Sequence, residues 1–218
     1  MAKVFLSRSD QNYPVLKKHL AAGCHDLIAQ SLIHIEYLDF EMPSSLDWVF
    51  FTSRNSVESY FAQKIHGQFK YAALGGGTAD ALRKHGPVGF IGDESDIVKS
   101  ALEFRDLIQE ERVLFPSSTI GLRTVQNELP TKQVTDVYSY QTSLCPIHVP
   151  ACEVYVFSSP SNVESFALKN SFPENAVVLV PGQKTKFKVE NYYGGNIIDV
   201  RSLADSAITD TIFPDILS

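Results

Sequence analysis

The segment Asp47-Trp48-Val49-Phe50-Phe51-Thr52-Ser53-Arg54-Asn55-Ser56-Val57-Glu58-Ser59-Tyr60 decides the fold. Residues 48–51 form a short, wholly apolar run, the pattern of a strand covered on both faces. Thr52 to Asn55 then supplies hydroxyl and amide groups suited to a helix start, and the segment beyond it has helical period. This is a strand-to-helix unit. A second copy lies 106 residues downstream, where Phe157-Ser158-Ser159-Pro160-Ser161-Asn162-Val163-Glu164-Ser165-Phe166 falls on Phe51 to Tyr60. The same shift sets Leu74-Gly75-Gly76 on Val180-Pro181-Gly182. Two consecutive units in register without an insertion mark an internal duplication.

Outward from these units, short apolar runs alternate with helix-period segments along all 218 residues, the signature of an α/β protein. The pattern predicts strands over 3–7, 26–29, 48–52, 71–74, 88–91, 112–115, 154–158, 177–180 and 196–200. It predicts helices over 10–22, 55–63, 78–84, 96–108, 120–129, 162–169, 184–191 and 203–212. A doubly wound domain needs about five parallel strands. The downstream copy supplies three after residue 150, so strands 3–7 and 26–29 complete it. One domain is therefore discontinuous, residues 1–31 with 147–218, and the other, 43–131, is inserted into it. Two extended crossings, 32–42 and 132–146, run in opposite directions and pair as a hinge ribbon. The expected fold is two similar flavodoxin-like α/β domains with parallel sheets, joined by a two-stranded antiparallel linker.

Hydrophobic residues make up 44% and charged residues 20% of the chain, which excludes a disordered, collagenous or fibrous protein. The longest apolar runs, 48–51 and 176–180, are too short to span a membrane. Met1-Ala2-Lys3-Val4-Phe5-Leu6-Ser7-Arg8 reads as a first strand rather than a secretory signal, so the expected location is cytoplasmic. A net charge of −6 with 19 dispersed basic residues disfavours nucleic acid. Cys24, Cys145 and Cys152 lack C-x-x-C spacing and fit reduced thiols. His19, His25, His34, His66, His85 and His148 are scattered, so no metal cage is expected.

In open parallel sheets, ligands bind beyond the carboxyl ends of the strands. Six loops there are rich in hydroxyl, amide or glycine residues: Ser7-Arg8-Ser9, Thr52-Ser53-Arg54-Asn55, Gly75-Gly76-Gly77-Thr78, Pro116-Ser117-Ser118-Thr119, Ser158-Ser159-Pro160-Ser161-Asn162 and Pro181-Gly182-Gln183-Lys184. Each alone is explained by helix capping. Together, three to a domain, they predict a cleft that holds a polyanion through backbone N–H groups and helix dipoles, with Arg8, Arg54 and Lys184 as its cations. The triple glycine lacks G-x-G-x-x-G spacing, and neither a Walker loop nor a G-x-S-x-G elbow exists. Asp93 and Glu94 read as partners of a helix dipole rather than as an acid–base pair. Cations, amides and hydroxyls stand where enzymes commonly carry paired carboxylates.

Several stretches then point one way. These are Val4-Phe5-Leu6-Ser7-Arg8, Leu32-Ile33-His34-Ile35-Glu36, the strand and helix from Asp47 to Val57, and Ala73-Leu74-Gly75-Gly76-Gly77-Thr78-Ala79. Val113-Leu114-Phe115-Pro116 with Arg123, and Val137-Tyr138-Ser139-Tyr140-Gln141-Thr142, complete the set. In order and spacing they resemble the uroporphyrinogen-III synthase family over nearly the whole chain. The resemblance implies a cofactor-independent lyase that closes hydroxymethylbilane, a linear tetrapyrrole octacarboxylate, into uroporphyrinogen III with loss of water and inversion of ring D. It implies that Tyr140 is catalytic, donating a hydrogen bond to the departing hydroxyl. In the inserted domain it assigns substrate contacts to Thr52, Ser53, Arg54, Asn55, Gly76, Gly77, Thr78, Ser117, Ser118 and Arg123. In the discontinuous domain it assigns them to Arg8, Ser158, Ser159, Ser161, Asn162, Gly182, Gln183 and Lys184.

The chain departs from the family where Ser117 replaces an arginine after the strand-end proline. Pro181-Gly182-Gln183-Lys184-Thr185 replaces "G-P-x-T-A", which makes Lys184 the substitute contact. Tyr138 and Tyr140 share one face by strand period, so the family match at Tyr140-Gln141-Thr142 and the place of Tyr140 nearer the loop that enters the second domain separate them. The expected partners are the substrate and a transient hand-over from the preceding pathway enzyme, with no nucleic acid, no membrane and a monomeric state. The alternative reading of the same layout is a two-lobed anion-binding protein without catalysis.

Overall fold

The computed structural model describes every residue except 10, 12, 66, 201, 214, 215 and 218. His66 and residues 10 and 12 of the expected helix 10–22 thus lie outside the described residues. The chain runs β1 (Lys3–Leu6), α1 (Pro14–Ala22), β2 (Asp26–Ala29), β3 (Ile33–Tyr37), β4 (Trp48–Phe51), α2 (Arg54–Ala62), β5 (Lys70–Leu74), α3 (Gly76–Leu82) and β6 (Phe90–Gly92). It continues through α4 (Ile97–Ile108), β7 (Val113–Ser118), β8 (Val134–Leu144), β9 (Val154–Val156), α5 (Pro160–Ala167), β10 (Val177–Val180), α6 (Gln183–Glu190), β11 (Asn196–Asp199) and α7 (Asp205–Ile212). No helix among the described residues is long and apolar enough to cross a membrane.

This mixed α/β chain divides into two compact units, Met1–His34 with Ser143–Ser218, and Ile35–Thr142. The first unit holds a sheet ordered β11-β10-β9-β1-β2 with parallel pairing, and the second a sheet ordered β3-β8-β7-β4-β5-β6 that is parallel from β8 to β6. Leu38 N donates to Ser139 O and Cys145 N to Leu32 O, so positions on the two crossing strands run in opposite senses. β8 is at once a crossing and a full member of the second sheet, where Val134 to Val137 lie opposite Val113 to Pro116 of β7.

The ladders expose the duplication. Trp48 of β4 lies opposite Lys70 and Val113, as Val154 of β9 lies opposite Val177 and Val4. The pair β7 and β8 therefore occupies the places that β1 and β2 hold in the first unit. Spatial order is the same in both sheets, while chain order is circularly permuted. The register expected from sequence needs one correction: Lys70, not Tyr71, is the counterpart of Val177, so one extra residue lies between α5 and β10. The two glycines with positive φ agree, because Gly75 at +81° and Gly182 at +145° cap α3 and α6.

Both sheets are buried on both faces, and successive side chains feed alternate cores. Trp48 and Phe50 pack with Ala72, Leu74, Phe104 and Phe115, whereas Val49 and Phe51 pack with Ala73, Leu114, Val57 and Tyr60. In the first unit, Val4, Leu6, Val154 and Val156 join Leu16 and Ile208, while Phe5, Tyr155 and Phe157 join Val163 and Phe166. Each such large side chain contributes about 1.5–3 kcal/mol by leaving water.

The helix expected over 120–129 is absent. Gly121 closes a turn on Ser118 O, Pro130 follows, and only the 3₁₀ turns Gln126–Glu128 and Thr131–Gln133 form. Val125 and Leu129 mimic a helical spacing but reach the core from those turns.

Cys24 and Cys145 are exposed and Cys152 is buried. Burial, reinforced by Glu153, pushes the Cys152 thiol up to about 11. A thiol reagent at neutral pH should titrate two thiols of the native protein quickly, with the third reacting only after denaturation. Three fast thiols would mean that the core around the start of β9 opens.

Candidate functional site

The strand ends of the second unit are built around the start of α2. Ser53, extended at φ −157°, caps the helix by accepting from Ser56 N at 3.1 Å, while Ser56 Oγ accepts from Ser53 N. The outer side of Ser53 Oγ lies 3.0 Å from the Tyr140 hydroxyl. Arg54, the next residue, turns its Nε to Gly77 O at 3.0 Å and so ties the first turn of α2 to that of α3. Gly75 must be glycine: its φ is positive, and a Cβ there would lie 2.6 Å from the Glu94 carboxylate. Thr52 and Asn55 are half-buried, Gly76 is exposed, and Thr78 is buried.

Tyr140 does not share a face with Tyr138, contrary to the strand period. The β7–β8 ladder pairs Ser117 with Tyr138 and then Ser118 with Tyr140, which leaves Ser139 unpaired on that edge. This β-bulge turns Ser139 and Tyr140 inward together and leaves Tyr138 59% exposed against 8% for Tyr140. Burial raises the Tyr140 phenol above its ordinary value, opposed in part by the Ser53 hydrogen bond, so the hydroxyl keeps its proton.

Ser117 Oγ donates to Val137 O at 3.4 Å, and buried Ser118 accepts from Ile120 N through its hydroxyl. Arg123 forms an ion pair with Asp136, whose other oxygen accepts from Gln126 Nε2 at 2.9 Å. The Arg123 guanidinium is thus already paired with a carboxylate.

The strand ends of the first unit carry a hydroxyl and amide cluster. Ser158 N donates to Ser7 Oγ at 2.8 Å, and the two hydroxyls lie 3.3 Å apart. Asn162 Nδ2 donates to Ser158 Oγ and Ser159 Oγ, Ser159 caps α5, and Asn162 Oδ1 accepts from Leu32 N at 2.8 Å. Arg8 reaches Tyr13 Oη at 3.2 Å. Ser161 is half-buried in the first turn of α5, Gly182 caps α6, and Gln183 and Lys184 are exposed at its start.

The structure therefore gathers Ser53, Tyr140, Arg54 and Gly77 in one unit and Ser158, Ser159 and Asn162 in the other. Sequence reasoning placed Ser7 in a strand-end loop but gave no role to Ser59 and Ser139, and these three hold the groups above. The three-residue spacing of Ser53, Ser56 and Ser59 was the available signal for a polar helix face. Among the described residues no cluster of His, Cys, Asp or Glu could hold a metal ion.

The family model described as Uroporphyrinogen-III synthase HemD matches residues 14–197. No curated protein matches the sequence. Among solved structures, the fold is similar to that of uroporphyrinogen-III synthetase from Helicobacter pylori 26695, with a TM-score of 0.67 at 16% identity, covering 97% of this chain and 99% of that one. It is also similar to a mutant uroporphyrinogen III synthase from the extremely thermophilic bacterium Thermus thermophilus, with a TM-score of 0.61 at 14% identity and 97% of both chains covered.

Removing the cap should be measurable apart from any activity. Ser53→Ala is expected to cost about 1 kcal/mol, or about 2–4 °C in Tm, read by thermal melting. Because the Tyr140 pKa is raised, its neutral form persists past pH 10, and its contribution to stability is lost as pH climbs through that range. An alkaline absorbance titration should show Tyr140→Phe lacking one late-ionising phenol, and a phenol missing at the ordinary value would refute the burial argument.

Proposed function

The chain belongs to the uroporphyrinogen-III synthase family, and we propose that it runs the family's reaction with Tyr140 as proton donor and its strand-end loops as carboxylate binders. The enzyme is a lyase of porphyrin and haem biosynthesis that converts hydroxymethylbilane to uroporphyrinogen III, with loss of water and inversion of ring D. The observation that carries the proton-donor reading is the buried, neutral Tyr140 phenol held 3.0 Å from Ser53 Oγ at the strand ends.

In this reading the Tyr140 hydroxyl hydrogen-bonds the departing hydroxyl of ring A, which leaves as water and produces an azafulvene cation. The substituted carbon of ring D attacks it, and the resulting spiro intermediate reopens and recombines with ring D inverted. The proton spent on the leaving hydroxyl is returned when the last pyrrole regains aromaticity. Holding the reacting carbons in place is the main contribution of the protein, and orientation can supply about 7–11 kcal/mol.

Arg8, Arg54 and Lys184 supply charge to the carboxylates, and Arg123 supplies less because Asp136 shares it. Thr52, Asn55, Gly76, Gly77, Thr78, Ser117 and Ser118 add hydroxyls and N–H groups, as do Ser158, Ser159, Ser161, Asn162, Gly182 and Gln183. We read both units as flavodoxin-like, the second as a circular permutation of the first. The enzyme works as a cytoplasmic monomer without metal or cofactor. It takes its substrate by transient hand-over from the preceding enzyme, because free hydroxymethylbilane closes without inversion.

Incubation with freshly generated hydroxymethylbilane, followed by separation of isomers I and III, tests the reading: isomer III is expected. Tyr140→Phe should slow turnover about 10²-fold and still make isomer III. Unchanged turnover removes the proton-donor role, and slow turnover to mostly isomer I makes Tyr140 a shaping residue instead. Separately, with a net charge of −6 the affinity depends on local cations, so KM should rise as ionic strength is brought to the physiological range. A KM indifferent to salt would exclude Arg8, Arg54 and Lys184 as the anion holders.

A further inference from the structure

Tyr140 points inward only because β8 carries one residue more than β7 can pair. That extra residue, Ser139, is fully buried and gripped from two sides. Its carbonyl accepts from Leu38 N at 2.9 Å, and its hydroxyl lies 2.8 Å from Ser59 Oγ. Ser59 also approaches Ser56 O at 3.2 Å, and Ser56 shares the capping box with Ser53, the partner of the Tyr140 hydroxyl. Ser53, Ser56 and Ser59 stand three residues apart along one face of α2, so a single helix face meets β8 at both the bulge and the phenol.

The duplication supplies a comparison inside the same chain. Ser159, Asn162 and Ser165 occupy the equivalent positions of α5. There Asn162 takes the N–H of Leu32, but the buried Ser165 hydroxyl has no hydrogen-bond partner. A last serine on this helix face is therefore not required by packing to find a hydroxyl opposite it. In α2 it has one, and that hydroxyl belongs to the bulge. Without a fixed bulge, period-2 geometry would put residue 140 back on the face of Tyr138, since a one-residue slip exchanges the faces of a strand.

We propose that the buried Ser59–Ser139 hydrogen bond is a positioning element that fixes the β8 bulge and thereby aims the Tyr140 hydroxyl at Ser53. Its effect on turnover rests on Tyr140 being the proton donor, whereas its effect on the placement of Tyr140 does not. Neither serine touches substrate in this arrangement.

The test uses the full chain with tyrosine labelled at Cζ with carbon-13, the Tyr140 resonance being assigned by its loss in Tyr140→Phe. Ser139→Ala and Ser59→Ala should each move that resonance and bring its alkaline titration down towards the ordinary tyrosine value, with the Tyr60 and Tyr155 resonances unmoved. Turnover should fall by about 10- to 100-fold, with KM within about twofold, and Ser139→Ala added to Tyr140→Phe should bring no further loss. Ser165→Ala, the equivalent buried serine, should change neither reading. A Tyr140 resonance that stays in place in both Ser59→Ala and Ser139→Ala overturns the proposal, as does a double variant much slower than Tyr140→Phe alone. A displaced resonance with unchanged turnover supports the positioning role and defeats only the proton-donor reading of Tyr140.

Discussion

A parallel sheet buried on both faces leaves few places for polar chemistry. Along Trp48 to Phe51 or Val154 to Val156 every side chain enters one of two cores, and every interior N–H and C=O is spent on neighbouring strands. Unpaired amides survive only where a strand passes into a helix. The capping residues Ser53, Ser159, Gly75 and Gly182 are set there by backbone requirements before any substrate is considered. The groups proposed to bind substrate are thus the same ones that the fold requires as helix caps.

The duplication then shows how one such frame diverges. Its two copies keep the same spatial order of strands, but the chain enters the first unit through β1 and β2 and leaves the second through their counterparts β7 and β8. The strand that exits is therefore free to lengthen. β8 carries the bulge at Ser139 and Tyr140 within its ladder to β7 and runs on to Leu144, whereas β2 stops at Ala29. The first unit meets the same need with the Asn162 amide on the Leu32 N–H. Where the Asn162 side chain clasps a main-chain N–H in one unit, Ser59 and Ser53 clasp the side chains of Ser139 and Tyr140 in the other.

The large features were legible because they rest on burial. Continuous apolar runs gave the strands, and the match of Phe51 to Tyr60 with Phe157 to Phe166 pointed to strand-to-helix units at both places, where β4 with α2 and β9 with α5 form. What escaped depends on single residues. The extra residue after α5 shifts the second match by one, which only the ladders of β5 and β10 reveal. Val125 and Leu129 imitate a helix that Gly121 and Pro130 prevent. The bulge left no trace, because Tyr138-Ser139-Tyr140 is a faultless alternating strand on paper. For Arg123, nothing in its neighbourhood of sequence announced Asp136 as its partner.

In the proposed reaction, a rim that receives many carboxylates places a constraint on a proton donor set there. A carboxylic acid there would meet the substrate's own negative charges, and a histidine would change charge across the working pH range. A phenol is neutral throughout that range, and burial at Tyr140 widens the margin rather than narrowing it. Neutrality also frees the group from needing a counter-ion, so one weak partner, the Ser53 hydroxyl, suffices to orient it. The cost is a modest acid, tolerable because a hydroxyl beside an electron-rich pyrrole departs readily. Under those conditions direction matters more than acidity, which is why the placement of one hydroxyl by a buried bulge can weigh as much as the chemistry of the hydroxyl itself.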